Sequence, residues 1–282
     1  MTEIHGKSVD LYKPQVMGIL NCTPDSFYCG SRSEDEAAIA RRVETIVGEG
    51  GSIIDVGAMS TRPGADDVSE AEEMARLRRA LPVVMRERGD LLVSVDTFRP
   101  AVARMVVEEY GVDIINDVSE GGVTGREGVA LAEEGGSMFE EVARLQVPYV
   151  LMSVQPDVEQ TVKVLTSKTA QLRAMGVKDI ILDPGYGFGK TLEENYRLLA
   201  CQKQLLSLGC PLLVGVSRKR MVWQSLGITP EESLNGTTVL NVLALERGAS
   251  ILRVHDVRAA AEAIALTEAF AKASAKGAPS KE

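Results

Sequence analysis

Aromatic residues and histidine are scarce in this 282-residue sequence: phenylalanine, tryptophan and tyrosine together make up 4%, and there are only two histidines. The core must therefore be built mainly from aliphatic side chains. No two of the four cysteines are spaced as C-x-x-C, and with so few histidines the sequence argues against a zinc site. We interpret the cysteines as reduced thiols of a cytoplasmic protein; they are Cys22, Cys29, Cys201 and Cys210.

Long hydrophobic runs and excess positive charge are also missing. No stretch approaches the roughly 18 apolar residues of a membrane-spanning helix. The N-terminal stretch "MTEIHGKSVDLYKPQ" lacks the apolar run of a secretory signal. The net charge of −9 and the pI near 5.0 argue against binding to nucleic acid or to an anionic membrane. We expect small-molecule partners instead, and a local basic pocket could still bind a small anion.

Short apolar runs rich in valine, isoleucine and leucine recur along the whole chain. None of them alternates regularly with polar residues, which is typical of strands buried on both faces of a parallel sheet. The eight runs are "VMGIL" (16–20), "SIIDV" (52–56), "LLVSV" (91–95), "VDIIN" (112–116), "PYVLM" (148–152), "DIILD" (179–183), "LLVGV" (212–216) and "SILRV" (250–254).

Helical patterns lie between these runs. Capping signals precede three of them, at Ser33 with Glu36, at Ser69 with Glu72 and at Thr191 with Glu194. Further helices are predicted over 157–175, 235–247 and 256–274. Eight strands alternating with helices predict an α/β fold, a (β/α)8 TIM barrel in a single domain over residues 14–272. Residues 1–13 are then an N-terminal extension and 273–282 a disordered tail. An open, Rossmann-like sheet is the alternative.

Polar residues follow almost every predicted strand, where a barrel carries its chemistry. Each one alone is typical of a turn or a helix cap. Together they would surround one mouth with two chemical halves. Basic groups suited to a phosphate ester are Arg62, Lys219, Arg253 and His255. Acceptors suited to a nitrogen-rich ring are Asp96, Asn116 and Asp183, and Asn21 offers an oxygen for Mg²⁺ shared with the phosphates.

The stretch "ILDPGYGFGKT" (181–191) ends like a nucleotide-binding P-loop. That motif requires a glycine five residues before the Gly-Lys-Thr, and this position holds Pro184. Because proline has no N–H to donate to a phosphate, the sequence argues against ATP or GTP binding.

Seven motifs in this order resemble the dihydropteroate synthases, over about residues 14 to 270. They are "MGILNCTPDSF", "IIDVGAMSTRPGA", "VSVDT", "INDVS", "ILDPGYGFGKT", "VGVSRKR" and "ILRVHDVR". The resemblance implies a (β/α)8 barrel that commonly forms homodimers, uses Mg²⁺ and is a sulfonamide target. It implies condensation of 6-hydroxymethyl-7,8-dihydropterin diphosphate with 4-aminobenzoate, giving dihydropteroate and pyrophosphate in folate synthesis.

The resemblance also assigns roles to residues. Asp96, Asn116, Asp183 and Lys219 match the pterin-binding positions, and Asn21 matches the metal and diphosphate position. Arg62, Arg253 and His255 match the diphosphate-binding groups. The residues that would line or border the aminobenzoate site are Thr61, Pro63, Phe188, Gly189, Ser217 and Arg220. Asp96, Asp183, Lys219 and Asp25, the last in the loop after the first strand, would act in catalysis.

Three departures from the family pattern leave alternatives open. Ser153 stands where the family usually has the histidine of Leu-Met-His, and the following "VQPDVEQT" lacks the usual Gly-Thr-Pro character. Ala58-Met59 replaces the common Gly-Glu or Gly-Tyr. A folate-dependent methyltransferase shares the pterin-binding barrel but has no reason to keep a diphosphate cluster. The other alternative is a pterin-binding module without catalysis.

Overall fold

Eight parallel strands form the centre of the fold in a computed structural model that describes residues 1–4, 7–22, 32–59, 68–121 and 136–277. A short antiparallel hairpin of β1 (Thr2–Ile4) and β2 (Lys7–Val9) precedes them. The parallel strands are β3 (Gln15–Asn21), β4 (Ile53–Gly57), β5 (Leu92–Asp96), β6 (Ile114–Asp117), β7 (Tyr149–Met152), β8 (Ile180–Asp183), β9 (Leu213–Val214) and β10 (Ile251–Val254).

The strands close into a cylinder. Their order is β8-β7-β6-β5-β4-β3-β10-β9, and a parallel bridge between Leu182 and Leu212 joins the two outer strands. Each predicted apolar run overlaps one strand, and almost every strand residue is buried. The predicted barrel is therefore confirmed, and the open-sheet alternative is wrong because the bridge between Leu182 and Leu212 joins the two outer strands.

Nine α-helices lie in the described part of the chain. They are α1 (Arg32–Gly48), α2 (Glu70–Glu87), α3 (Pro100–Tyr110), α4 (Gly136–Leu145), α5 (Val158–Ala174), α6 (Leu192–Cys201), α7 (Arg220–Leu226), α8 (Leu234–Leu245) and α9 (Val257–Gly277). Within the same ranges, none of them is both long and apolar enough to cross a membrane.

Two of the three predicted helix caps, at Ser69 and Thr191, are present, whereas α1 begins at Arg32, so the predicted cap Ser33 lies inside the helix. The Ser69 side chain accepts a hydrogen bond from the Glu72 N–H, and Thr191 with Glu194 forms a reciprocal capping box. The last helix extends farther than predicted, to Gly277, so residues 273–277 are helical and not part of a disordered tail. Alanine and lysine, which dominate "KASAKG", are strong helix formers and continue the helix. Residues 278–282 lie outside the described part.

The N-terminal hairpin covers the lower end of the barrel. Ile4 and Leu11 are buried there against the residues at or near the starts of the strands. The Thr2 hydroxyl donates to Asp179 Oδ1 at 2.6 Å and ties the hairpin to the segment before β8. The other buried members of this apolar cluster are Met17, Ile53, Leu92, Ile114, Val150, Ile181, Leu213 and Ile251. With this end sealed, ligands must enter from the opposite mouth.

Candidate functional site

The strand register brings several predicted site residues to one level at the upper mouth. Asn21 is paired with Gly57, Gly57 with Asp96, and Asp96 with Asn116. A Cβ added to Gly57 would lie 3.4 Å from Asn21 Oδ1 and 3.8 Å from the Cβ of Asp96. The absence of a side chain at position 57 thus keeps open the space between the Asn21 amide and Asp96.

The Arg253 guanidinium lies inside the barrel between two carboxylates. Its Nε donates to Asp55 Oδ2 at 2.6 Å, and its Nη2 donates to Asp96 Oδ2 at 2.8 Å. The same Asp55 oxygen accepts from Asn116 Nδ2 at 3.1 Å. Arg253 therefore joins strands β4, β5 and β10 and fixes the carboxylate of Asp96 at the mouth.

Asp55 is a site residue that the sequence analysis did not assign to any role. It occupies the middle of "IIDVG" and is fully buried. An aspartate between isoleucine and valine within a buried strand was the available signal, because a buried carboxylate needs a cation or several donors.

Burial and neighbouring charges shift the pKa values of ionisable side chains at the mouth of the barrel. Burial raises the pKa of Asp96 to about 7, although the Arg253 cation opposes this shift, and the nearby Asp55 carboxylate adds to it. Burial also raises the pKa of Asp183. Burial lowers the pKa of Lys219 to about 8 against the attraction of Asp183. For Arg253, burial disfavours the cation, but Asp55 and Asp96 outweigh it and hold the pKa above its ordinary value.

The glycine-rich loop after β8 positions Asp183 and contacts Lys219. The Gly185 N–H donates to Asp183 Oδ1 at 2.7 Å. The Lys219 ammonium donates to the Tyr186 carbonyl and lies 4.6 Å from the centre of the Phe188 ring. Gly187 has a φ of 82°, and a Cβ there would come within 3.0 Å of Lys219 Cδ. Glycine at 187 allows this close approach of the lysine stem.

Two further predicted residues meet at the ends of β9 and β10. Ser217 Oγ lies 3.1 Å from His255 Nδ1 and also accepts from the His255 backbone N–H at 3.2 Å. Of the basic run after β9, Arg218 pairs through two hydrogen bonds with Asp256, at 2.9 and 2.8 Å. Arg220 begins α7 and is exposed. Lys219 thus contacts the glycine-rich loop after β8, whereas Arg218 has a structural role.

Four predicted site residues lie outside the described part of the chain: Asp25, Thr61, Arg62 and Pro63. Their roles stay predictions. Phe188 is half-buried beside Lys219, and Gly189, with a φ of 61°, is exposed at the end of the same loop.

Known proteins resemble this chain over nearly its whole length. A family described as pterin binding enzymes matches residues 17–255. The dihydropteroate synthase of Escherichia coli (strain K12) is 38% identical over 281 residues, covering 94% of each chain. The chain belongs to the dihydropteroate synthase family. The resemblance inferred from the seven motifs is thereby confirmed, and the protein is an enzyme of the transferase class.

Solved structures of this family agree with the fold. A dihydropteroate synthase from Xanthomonas albilineans, solved with 4-aminobenzoic acid, is 36% identical with a TM-score of 0.82 and 98% coverage of both chains. The Yersinia pestis synthase, solved as a sulfonamide drug complex, is 36% identical with a TM-score of 0.80, covering 95% of this chain and 98% of that one. These relatives are synthases, which favours that function over the methyltransferase and binding-module alternatives.

Proposed function

We propose that the enzyme condenses 6-hydroxymethyl-7,8-dihydropterin diphosphate with 4-aminobenzoate and releases pyrophosphate. One observation carries the ring-binding half of this proposal. Within the described residues, Asp55 Oδ1 and Asn116 Oδ1 are buried and accept no hydrogen bond from the protein. Buried acceptors without a donor are rare in folded proteins, and a flat ring edged with N–H groups would supply such donors.

The pterin ring would bind among Asp96, Asn116, Asp183 and Lys219. The carboxylates and the Asn116 carbonyl accept from ring N–H groups, and the ammonium donates to a ring oxygen or nitrogen. Gly185 holds one Asp183 oxygen, which leaves the other available to the ligand. The acceptors are fixed in advance by the strands, so that little ordering is required when the ring binds.

The diphosphate would bind on the basic side, at Arg62, Arg253 and His255. Two N–H groups of Arg253 are bonded to Asp55 and Asp96, but a guanidinium has five, and 20% of this side chain remains exposed. His255, whose Nδ1 lies beside Ser217 Oγ, would contribute its imidazole to this anion site. These groups would stabilise the negative charge that develops on the leaving pyrophosphate.

The site residues fit a magnesium ion that is held mainly by the substrate. No group of three or more acidic, histidine or cysteine side chains suited to a metal occurs in the part of the chain that the structure describes. Mg²⁺ commonly takes one or two protein oxygens and completes its shell with phosphates and water. The half-buried Asn21, whose oxygen borders the open space above Gly57, would be that ligand. The ion would supply charge neutralisation for the diphosphate.

The reaction would then proceed by displacement at the pterin methylene. The bond between the methylene carbon and the diphosphate oxygen breaks early, and its electron pair leaves with the pyrophosphate. Ionised Asp96 and Asp183, with Asp25 from the first loop, favour the positive charge left on the pterin. The neutral amine of 4-aminobenzoate attacks the methylene carbon and then loses a proton. Thr61, Pro63, Phe188, Gly189, Ser217 and Arg220 would hold the aminobenzoate.

Product formation tests this function directly. We expect the purified enzyme to form dihydropteroate, detected by mass spectrometry, from the two substrates and Mg²⁺. A sulfonamide should compete with 4-aminobenzoate, and EDTA should stop the reaction. No product from the complete mixture would contradict the synthase activity, whereas product formation that EDTA leaves unchanged would contradict only the metal requirement.

We also propose that the enzyme is a homodimer that buries an apolar face on the neighbouring helices α8 and α9. Large hydrophobic side chains are exposed there at helical spacing: Val239 and Leu243 on α8 are 52% and 39% exposed, and Leu266 and Phe270 on α9 are 72% and 64% exposed. Pairing with a second copy would remove this surface from water.

Sedimentation velocity measures the oligomeric state. The wild type should sediment as a dimer, and Val239→Glu combined with Leu266→Glu should give monomers, because charges would be buried without partners. Val47→Glu is the matched control, since Val47 is a 39% exposed apolar residue on α1. A monomeric wild type, or a dimer that survives the double substitution, would contradict this interface.

A cytoplasmic location completes the proposal. Three cysteines in the described ranges, Cys22, Cys201 and Cys210, are free thiols. Burial raises the pKa of Cys22 to about 12, so this thiol is unreactive at neutral pH. Free thiols suit a reducing compartment.

A further inference from the structure

Glu120 adopts an unusual backbone conformation just after β6. Its φ of 58° lies in the left-handed region, which residues other than glycine and asparagine rarely occupy. The residue is also 1% exposed. A non-glycine residue held in this conformation, with a buried carboxylate, costs stability unless its surroundings compensate. The proposed mechanism uses no atom of Glu120.

The Glu120 carboxylate organises the segment after β7. Its Oε1 accepts from Ser153 Oγ at 3.1 Å and from the Val154 N–H at 3.3 Å. The Gln155 amide donates to both carboxylate oxygens, at 3.2 and 3.0 Å. Lys168 donates to the Glu120 carbonyl and places its ammonium 4.0 Å from Oε2. One buried side chain therefore fixes residues 153–155, where this sequence departs from its family.

This segment in turn contacts and supports the glycine-rich loop after β8. A Cβ on Gly185 would overlap the carbonyl oxygen of Ser153, so the two backbones are in direct contact. The Lys190 ammonium donates to three carbonyl oxygens: Ser153 at 3.3 Å, Gly185 at 3.0 Å and Phe188 at 3.2 Å. Gly185 is the residue whose N–H holds Asp183. A continuous set of contacts thus runs from Glu120 to the carboxylate of Asp183.

We propose that Glu120 is a positioning residue for the pterin site, acting through the Ser153 carbonyl and Lys190 on the loop that orients Asp183 and Phe188. The inference rests on the proposed function, since it assumes that Asp183 binds the pterin. It gives Lys190 of "GFGKT" a function that is unrelated to nucleotide binding. It also indicates that Ser153 is matched to Glu120, because the hydroxyl donates to the carboxylate in a fully buried space.

Direct binding of 6-hydroxymethylpterin, measured by calorimetry, tests the inference without requiring turnover. We expect Glu120→Gln to weaken binding about tenfold, because one amide oxygen replaces a carboxylate that accepts from three groups. Lys190→Met should weaken binding to a similar extent, and the double variant should be little worse than either single one. Ser153→His should also weaken binding, because an imidazole has to displace the buried contacts of Ser153.

Glu141→Gln is the matched control. Glu141 on α4 is another buried glutamate, 5% exposed, but it pairs with Arg104 and Arg144 on the outside of the barrel. The substitution Glu141→Gln should lower the melting temperature without changing pterin affinity. In steady-state kinetics, Glu120→Gln should raise the KM for the dihydropterin diphosphate more than it lowers kcat.

The outcomes separate this inference from the function on which it rests. If the wild type binds no pterin, the proposed function fails. If the wild type binds and both Glu120→Gln and Lys190→Met bind within twofold of it, Glu120 is purely structural and the inference is wrong. If Glu120→Gln does not fold, Lys190→Met alone decides the question. This substitution interrupts the same set of contacts at Lys190, which is less buried than Glu120.

Discussion

Replacing Lys219 with methionine should weaken pterin binding about 100-fold, since removing one partner of a buried charge pair costs about 3 kcal/mol. Lys219 contributes the cation that faces Asp183, and its ammonium is already bonded to the Tyr186 carbonyl and close to the Phe188 ring. Methionine preserves the stem that lies against Gly187 but donates no hydrogen bond. Calorimetry with 6-hydroxymethylpterin measures the loss.

A variant of an exposed lysine and a variant of Asp183 provide the controls for this experiment. Lys203→Met removes an exposed lysine from the 3-10 helix Gln202–Leu208 and should leave affinity unchanged. Asp183→Ala removes the carboxylate that faces Lys219 and should weaken pterin binding to a similar extent. Near-normal pterin binding by Lys219→Met would contradict the assignment of this lysine.

The pH dependence of pterin affinity should reveal the ionisation of Asp96 and of Lys219. Burial raises the pKa of Asp96 to about 7, so its carboxylate becomes fully charged only above that pH. Burial lowers the pKa of Lys219 to about 8, so its cation is lost as the pH rises through that value. Pterin affinity should therefore rise through pH 7 and fall above pH 8. In Lys219→Arg the fall should disappear, because a guanidinium remains charged.

Replacing Arg253 with methionine should lower the free energy of unfolding by about 3–5 kcal/mol at pH 8. The substitution leaves Asp55, which is fully buried, and Asp96, whose side chain is 12% exposed, without their shared cation. At pH 6 the loss should be smaller, because Asp96 is then largely protonated and no longer needs the cation. Guanidinium unfolding at the two pH values measures the difference.

Arg78→Met is the comparison for Arg253→Met. Arg78 also forms two hydrogen bonds with a carboxylate, that of Glu109, but their side chains are 48% and 43% exposed. Its loss should destabilise the fold much less than the loss of Arg253, because solvent screens an exposed pair. Adding Asp55→Asn to Arg253→Met should restore part of the stability, because it removes one uncompensated charge. Equal losses for Arg78→Met and Arg253→Met would show that the buried network contributes no more than a surface pair.

The sequence predicted the barrel because its strands are buried on both faces. Runs such as "LLVSV" and "DIILD" lack polar alternation, and caps such as Thr191 with Glu194 separate them from the helices. The hairpin beneath the barrel was not predicted. Its strands have three residues each, too short for a pattern, and its contacts depend on apolar residues spread across the whole cylinder.

The polar residues of the mouth were predictable where they end a strand, as Asp96 and Asp183 do. Asp55 and Glu120 were missed for two different reasons. Asp55 lies within its strand, and its partner Arg253 is 198 positions away in sequence. Glu120 is recognisable only by its positive φ and by contacts 33 to 48 residues away, which no local pattern indicates.

The pairing of Arg253 with Asp55 and Asp96 has a consequence for synthesis on the ribosome. Arg253 emerges 198 residues after Asp55 and 157 residues after Asp96, on the strand that completes the cylinder against β3. Until then a nascent chain holds two carboxylates without their guanidinium, and the apolar cluster that includes Ile4 and Leu11 still lacks Ile251. Contacts this distant form late in folding. The cylinder therefore closes in the same step that brings Arg253 to Asp55 and Asp96. A chain released before β10 would have neither a closed cylinder nor this cation.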